Sequence, residues 1–365
     1  MTSPEGVRGG TPGTETQVRA TVVVPTYNEA DNVEPLVRRI SAALPEVEIV
    51  FVDDASNDGT ADRVREISAR YPVRVVVRTE ERGLSTAVLR GFQESRTDIC
   101  VVIDADLSHP PEKIPELVKA VEDGAQVAVG SRYMPGGDID EWPLFRRFAS
   151  KAGTLLARPL TPVSDPMAGF FCLRRSMLQG VELKPRGFKI LLEILSRCRV
   201  TKLAEIPIRF EDRAAGQSKF SPRERKEFLR QIWTLYTDLN AWPLRVAKFL
   251  VTGGTGSLLH LAILWTLHSK LGLLLQLSNA VAFTCAMTSN YSINRIWTFR
   301  ARMAPVATSY VVYAVGAIGG WAVQSGILEL LKTRIHYLLA AAAGIVVGTL
   351  FTFLTSQFVA FRKRG

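Results

Sequence analysis

The chain has 365 residues, with 45 lysines and arginines against 35 acids and a formal charge of +10, so it exceeds one typical domain in length. Its four cysteines (Cys100, Cys172, Cys198, Cys285) show no C-x-x-C pair and no metal spacing, which argues for buried thiols in a reducing compartment rather than a disulfide framework or a zinc site. The excess basic charge suits nucleic acid, an anionic membrane or phosphorylated substrates, but much of it flanks apolar stretches, which favours a membrane over nucleic acid.

Residues 1–18 are rich in Gly, Thr, Pro and Glu, lack an apolar segment of the signal-peptide kind, and are expected to form a disordered tail. The β-branched run 19–25 predicts a buried strand, followed by a helix over 29–44 and a second strand over 48–52. A helix is expected to begin near Asp58, with Asn57 or Asp58 as its cap. Then come a strand at 73–78, a helix at 85–95, a strand at 99–104, a helix at 111–122 and a strand at 126–130. Strands alternating with helices, and strand interiors of near-continuous Val and Ile, predict a mainly parallel sheet covered on both faces. Ligands of such sheets sit at the carboxyl ends of the strands. The residues to interrogate are therefore Thr26-Tyr27-Asn28-Glu29, Asp53-Asp54, Asp104-Ala105-Asp106 and Ser131-Arg132.

From Val246 onward the chain turns apolar, and this final third carries the positive mean hydropathy of +0.11. Four stretches, about 246–267, 272–293, 306–328 and 337–360, have the length of about 20 residues that a helix needs to cross a bilayer. Arg295, Arg300 and Arg302 between the second and third spans, and the tail Arg362-Lys363-Arg364, place those segments and the preceding polar half on the cytoplasmic side. The resulting division is a soluble domain over 19–220, an interfacial region over 221–243 and a membrane domain over 244–365. Segment 221–243 mixes basic residues with Phe228, Leu229, Ile232 and Trp233; it is read as an amphipathic helix in the membrane interface, or alternatively as a surface helix packed on the soluble domain. His260, Asn279, Asn290 and Asn294 within the spans serve either helix–helix hydrogen bonding or a path for lipid headgroups.

Two carboxylates two residues apart after a buried strand, as in Asp104-Ala105-Asp106, can share a hard divalent cation that bridges to substrate phosphates. Aspartate also favours turns for its own sake, so position at a strand end is what gives the pair weight. Asp53-Asp54, followed by Ser56-Asn57-Asp58-Gly59-Thr60, suits a base or ribose, or a helix-capping turn.

Taken together, the motifs Val24-Pro25-Thr26-Tyr27-Asn28-Glu29, Val52-Asp53-Asp54-Ala55-Ser56-Asn57-Asp58-Gly59-Thr60, Asp104-Ala105-Asp106-Leu107 and Gly130-Ser131-Arg132-Tyr133 resemble the family 2 glycosyltransferases. Within that family the chain is most similar to the dolichol- or polyprenol-phosphate mannose synthases, over roughly 20–220. The run Asn290-Tyr291-Ser292-Ile293-Asn294-Arg295-Ile296-Trp297-Thr298-Phe299 resembles a GtrA-like four-helix membrane domain. The resemblance implies a GT-A-type α/β domain followed by an all-α four-helix transmembrane domain. It further implies donor binding by Pro25, Tyr27, Glu29, Val52, Asp54, Asp104, Ala105, Asp106, Arg132, Lys189, Arg213 and Lys219, and acceptor binding by Arg132, Arg146 and Ser150. Asp106 and Arg132 are the implied catalytic residues. The implied cofactor is Mg²⁺ or Mn²⁺ on Asp104 and Asp106, with Ser108 where that family often carries a glutamine ligand.

The chemistry suits these residues. Sugar transfer passes through an oxocarbenium-like state while negative charge grows on a departing diphosphate, which a cation, Arg and Lys stabilise. An acceptor phosphate is already largely ionised at neutral pH and needs positioning more than a base. The expected reaction is inverting transfer of a hexose to dolichyl or polyprenyl phosphate in the bilayer, mannose from GDP-mannose first and glucose from UDP-glucose second. Translocation of a lipid-linked sugar by the membrane half is the rival from another class. A nicotinamide dehydrogenase is disfavoured because no G-x-G-x-x-G follows the first strand. A processive polysaccharide synthase is disfavoured because Gln231 is followed by Ile-Trp-Thr-Leu instead of x-x-Arg-Trp. Oligomeric state is not legible.

Overall fold

The computed structural model describes residues 18–139, 144–185, 189–198, 200–211, 222–301 and 305–362. The chain divides into two compact units, residues 1–235 and 236–365. In the first, the elements run β1 (Ala20–Thr26), α1 (Ala30–Ala43), β2 (Val47–Asp53), α2 (Thr60–Ile67), β3 (Val73–Val77), α3 (Leu84–Glu94), β4 (Ile99–Val102), α4 (Ile114–Glu122) and β5 (Val127–Ser131). They continue through β6 (Asp138–Ile139), α5 (Leu144–Ala157), β7 (Phe171–Arg174), α6 (Ile190–Arg197), β8 (Leu203–Pro207), β9 (Arg209–Phe210) and α7 (Pro222–Asp238).

Seven strands form one sheet in the order β3-β2-β1-β4-β7-β5-β8. All neighbours are parallel except β7, which runs antiparallel to both β4 and β5. Every residue of β1, β2 and β4 is buried, as expected where helices cover both faces. One face packs on α1, whose Val33, Leu36, Val37 and Ile40 recur at helical spacing, and on Ile114, Leu117, Val118 and Val121 around α4. The other packs on α3 and α6, through residues such as Val88, Phe92, Leu191 and Ile194. The α3 backbone lies so close to β1 that a β-carbon at Gly91 would collide with the Val23 side chain. Because β1 lies between β2 and β4, the winding direction reverses there, and the carboxyl ends of these three strands border the crevice where open α/β sheets bind ligands.

The expected start of α2 shifts by two residues. Gly59, with φ at 87°, precedes Thr60, and Asp58 instead accepts from the Thr60 N–H at 3.0 Å and from the N–H of Ala30 at the start of α1, also at 3.0 Å. One carboxylate thus serves two helix starts.

The second unit consists of α8 (Trp242–Trp265), α9 (Leu275–Ile293), α10 (Val306–Leu331) and α11 (Tyr337–Thr355). Helices α8, α9 and α11 each end in a π-helical turn, closed by an N–H five residues on, as in Phe299 to Asn294 at 2.9 Å. Among the described residues three helical stretches are long and apolar enough to cross a membrane: Trp242–Lys270, Val306–Leu331 and Ala342–Ala360. The sequence reading gave four; α9 is 19 residues long but carries Gln276, Asn279, Thr284, Thr288 and Asn290 along its length. Helices α10 and α11 meet along glycine. A β-carbon at Gly348 would lie 2.6 Å from the Gly320 carbonyl oxygen, and one at Gly344 2.6 Å from that of Gln324. Phe249, Tyr291, Phe299, Tyr313, Phe353 and Phe361 form an aromatic core.

Candidate active site

The turns after β1 and β2 are stitched together. The register pairs Pro25 with Val52 and Thr26 with Asp53. The Asn28 N–H donates to Ser56 Oγ at 2.8 Å, the Asn57 N–H to Asn28 Oδ1 at 3.1 Å, and the Glu29 N–H to Thr60 Oγ1 at 3.0 Å. Tyr27 projects from this surface with its ring 5.5 Å from the Arg82 guanidinium. Asp53 folds back on its own turn, accepting from the Ser56 N–H and hydroxyl at 2.9 and 2.5 Å. Asp54 accepts from Arg78 Nε at 2.8 Å and the Gly83 N–H at 2.7 Å.

The turn after β4 holds the second acid pair. Asp106 is buried and accepts from the Ser108 N–H and hydroxyl at 3.1 and 2.6 Å. Ser108, itself 1% exposed, thus gives Asp106 two donors. His109 Nε2 lies 3.3 Å from Asp104 Oδ2, and its ring is held against Phe170 and Phe210 at centroid distances of 5.5 and 5.1 Å. Among the described residues no three His, Cys, Asp or Glu side chains form a metal-holding group. Two adjacent carboxylates at a strand end still supply the hard oxygen donors that Mg²⁺ and Mn²⁺ favour, with substrate phosphate oxygens to complete the shell.

The turns after β1, β2 and β4 share one backbone feature. Each contains a non-glycine residue in the left-handed region: Asn28 at φ 58°, Ala55 at 54° and Leu107 at 62°. Such residues cluster where function dictates the backbone path.

Arg132 follows β5 and is fixed by Asp165, a residue with no exposed surface. Nε donates to Oδ2 at 2.6 Å and Nη2 to Oδ1 at 2.9 Å. Burial disfavours charge on both, but their mutual attraction outweighs it, so the pKa of Arg132 is raised and that of Asp165 lowered. The guanidinium also stands 5.5 Å from the Tyr133 ring and 5.3 Å from that of Phe210. Tyr133 in turn shares a 2.7 Å hydrogen bond with Ser150 on α5. Lys189 precedes α6 and donates Nζ to the Met167 carbonyl at 3.1 Å.

Segment 165–169 gathers the site. Asp165 holds Arg132, Met167 receives Lys189, and Gly169 presses on Asp104 so closely that a β-carbon there would lie 2.5 Å from Oδ2. Glu205 anchors the segment's start by accepting from the Ser164 N–H and hydroxyl, each at 3.0 Å. Sequence reasoning missed this segment, Asp165 included, because nothing in the spacing of residues 132 and 165 signals that the antiparallel strand β7 will bring them together. Arg213 and Lys219 lie outside the described residues, as do Arg302 and most of the basic tail. The backbone of α5 is described through Arg146, but the Arg146 side chain is outside the described set.

A Rossmann-like crevice at a switch point, two acid-bearing turns and a buried arginine, combined in one chain with membrane-length helices, define a GT-A-type transferase unit followed by a helical membrane unit. Residues 21–181 match the model of glycosyl transferase family 2, and residues 248–361 match the GtrA/DPMS transmembrane domain. A dolichol-phosphate mannosyltransferase of Pyrococcus furiosus is 40% identical over 338 residues, covering 90% of this chain and 96% of that one. A dolichol-phosphate mannosyltransferase of Saccharomyces cerevisiae is 41% identical over 234 residues, covering 60% of this chain and 87% of that one. A polyprenol monophosphomannose synthase of Mycolicibacterium smegmatis is 36% identical over 226 residues, covering 59% and 85%. The chain belongs to the dolichol- and polyprenol-phosphate mannosyltransferase group of family 2 glycosyltransferases, and it is an integral membrane enzyme of that family.

Proposed function

We propose that the chain transfers mannose from GDP-mannose to a dolichyl or polyprenyl phosphate, with inversion at the anomeric carbon and dependence on Mg²⁺ or Mn²⁺. The observation that carries this reading is segment 165–169, which gathers the Asp104 carboxylate, Arg132 and Lys189 at the ends of β4 and β5. The mannosyl group and the lipid phosphate are those for which the relatives are named. Asp104 and Asp106 would hold the cation, which when bound neutralises charge on the departing diphosphate. Ser108 and His109 orient these two carboxylates. Tyr27 offers its exposed ring, and Pro25, Val52 and Asp54 shape the floor on which the nucleotide lies. Arg132, kept charged and rigid by Asp165, faces developing phosphate charge without needing to reorganise. The acceptor phosphate attacks as an anion, so positioning takes the place of a general base. Arg146 and Ser150 on α5 are the proposed acceptor-side residues, with Ser150 tied to the Arg132 neighbourhood through Tyr133.

The soluble unit and the basic segments at 295–302 and 362–364 are proposed to face the cytoplasm, from the excess of cations there. A cysteine at position 362 should be labelled only after the cytoplasmic side is opened. The catalytic reading is tested by incubating the purified chain with polyprenyl phosphate and a panel of sugar nucleotides, with and without chelator. Mannosyl-phosphoprenol formed from GDP-mannose, lost with chelator and restored by Mg²⁺ or Mn²⁺, is the expected result. Preference for UDP-glucose would move the donor assignment, and chelator-resistant transfer would overturn the metal assignment.

A further inference from the structure

Helix α7 carries a polar residue on its inner stripe. Phe228, Gln231, Ile232 and Leu235 recur at the i, i+3, i+4, i+7 spacing of a core-facing surface, whereas Leu229 and Trp233 are more than half exposed. Ile232 and Leu235 are buried, and so is Gln231, at 2% exposure. An apolar side chain of the same size would fill that space, and a buried carboxamide costs free energy unless it is hydrogen-bonded. Its Nε2 donates to the Lys189 carbonyl at 3.1 Å. Lys189 is the residue before α6, with φ at −112° and ψ at 61°, outside the helical range. A carbonyl in that position already accepts the first bond of its helix, so α6 does not depend on a second donor. What the Gln231 bond fixes is the peptide from which the Lys189 side chain departs. That side chain runs to segment 165–169, where Nζ donates to the Met167 carbonyl. The same helix also reaches α5. A β-carbon at Gly153, one turn beyond Ser150, would lie 3.0 Å from Met167 Cε and 3.5 Å from Phe228 Cε1. Phe228 and Gln231, one turn apart on α7, therefore brace α5 and Lys189 from a single surface.

We propose that Gln231 is a positioning residue of the transfer reaction: through the Lys189 carbonyl it holds the Lys189 ammonium where the donor diphosphate lies. The inference rests on the reading of Lys189 as a donor-side cation, and it adds a residue that itself touches no substrate. An ammonium on a flexible four-carbon stem is placed only as well as the backbone that carries it. Once placed, it meets charge developing on the diphosphate without having to reorganise.

The test is a double-mutant cycle on the full chain in detergent, with GDP and Mn²⁺ as the probe and guanosine, which carries no phosphate, as the control. Gln231→Met keeps the volume and removes the donor. Lys189→Met should weaken GDP about tenfold and Gln231→Met about fivefold, the scales of a hydrogen bond to a charged and to a neutral group. The double variant should bind GDP no more weakly than Lys189→Met alone, and guanosine should bind all the variants like wild type. Gln231→His keeps an N–H at similar reach and should recover most of the GDP affinity. Additive losses, equal weakening of guanosine and GDP, or unchanged GDP affinity in Gln231→Met would each overturn the proposal. Unchanged GDP affinity in Lys189→Met would remove the donor-side reading of Lys189 itself, and the proposal with it.

Discussion

The turns after β2 and β4 begin alike, each with two carboxylates close to the end of a fully buried strand. Their surroundings diverge within a few residues. Asp54 meets the buried guanidinium of Arg78 and the Gly83 N–H, and Asp53 closes its own turn through Ser56. Asp106 instead rests on the Ser108 hydroxyl and Asp104 on the His109 ring. The first pair thus helps to build the loop that carries Tyr27, whereas the second meets a serine hydroxyl and a histidine ring beside segment 165–169. On the proposed function, one short acidic pattern serves architecture in one place and chemistry in the other, and their sequence alone does not separate them.

The sharpest way to break this contrast is Asp106→Ala. Transfer from GDP-mannose is expected to fall by about a thousandfold, while stability changes by only about 1 kcal/mol through the lost Ser108 bond. Wild-type turnover in that variant would erase the distinction. Asp54→Ala should behave in the opposite sense. It leaves Arg78, whose side chain is 8% exposed, without its buried carboxylate, at an expected loss of about 3 kcal/mol, read as a lower melting temperature of the catalytic unit. A melting temperature equal to wild type would show that the Asp54–Arg78 pair does not hold this loop together.

Acid provides a milder probe. For Asp165, burial raises the pKa but the Arg132 guanidinium outweighs it; for Asp58, burial is outweighed by hydrogen bonds from Thr60 and Ala30. Both therefore lie below the ordinary value of 3.8. A lowered folded pKa means that stability is fully present above the ordinary carboxylate range and is lost as pH falls through the folded values. The catalytic unit should hold its melting temperature from neutrality to about pH 5 and lose it below about pH 4. Asp165→Asn should flatten that acid limb, and an unchanged limb would remove the pair from the account. The smallest expected effect is at the β2 turn itself. Ala55→Gly relieves the left-handed backbone but loosens the unfolded chain, so calorimetry should find a net change within about 1 kcal/mol.

Much of this arrangement could be read from the residues. Continuous Val and Ile in 19–25, 48–52 and 99–104 announce buried parallel strands, and the acids that follow them mark the ligand edge. Strand direction was not legible in Phe171–Arg174, because a short buried run reads the same in either sense. Asp165 was missed for that reason, since β7 and β5 must pair before it reaches Arg132. Ser108 reads in sequence as a ligand in the place of the family's glutamine; in the structure its hydroxyl donates to the carboxylate it follows, a contact that no spacing rule announces. In the membrane unit, the apolar stretch 272–293 reads as a span; the helix α9 found there carries amides and hydroxyls that lower its apolarity below that of α8, α10 and α11.

The glycine seam between α10 and α11 has a consequence for variation. Where the two backbones touch at Gly320, Gly344 and Gly348, no side chain exists to be repacked, and even one added methyl group meets a main-chain oxygen or a neighbouring side chain. Val315, Ile318, Val346 and Leu350 on the same helices are more than half exposed within the unit. In a library covering both helices, those four positions should accept almost any apolar residue, while the three glycines should tolerate nothing larger than themselves.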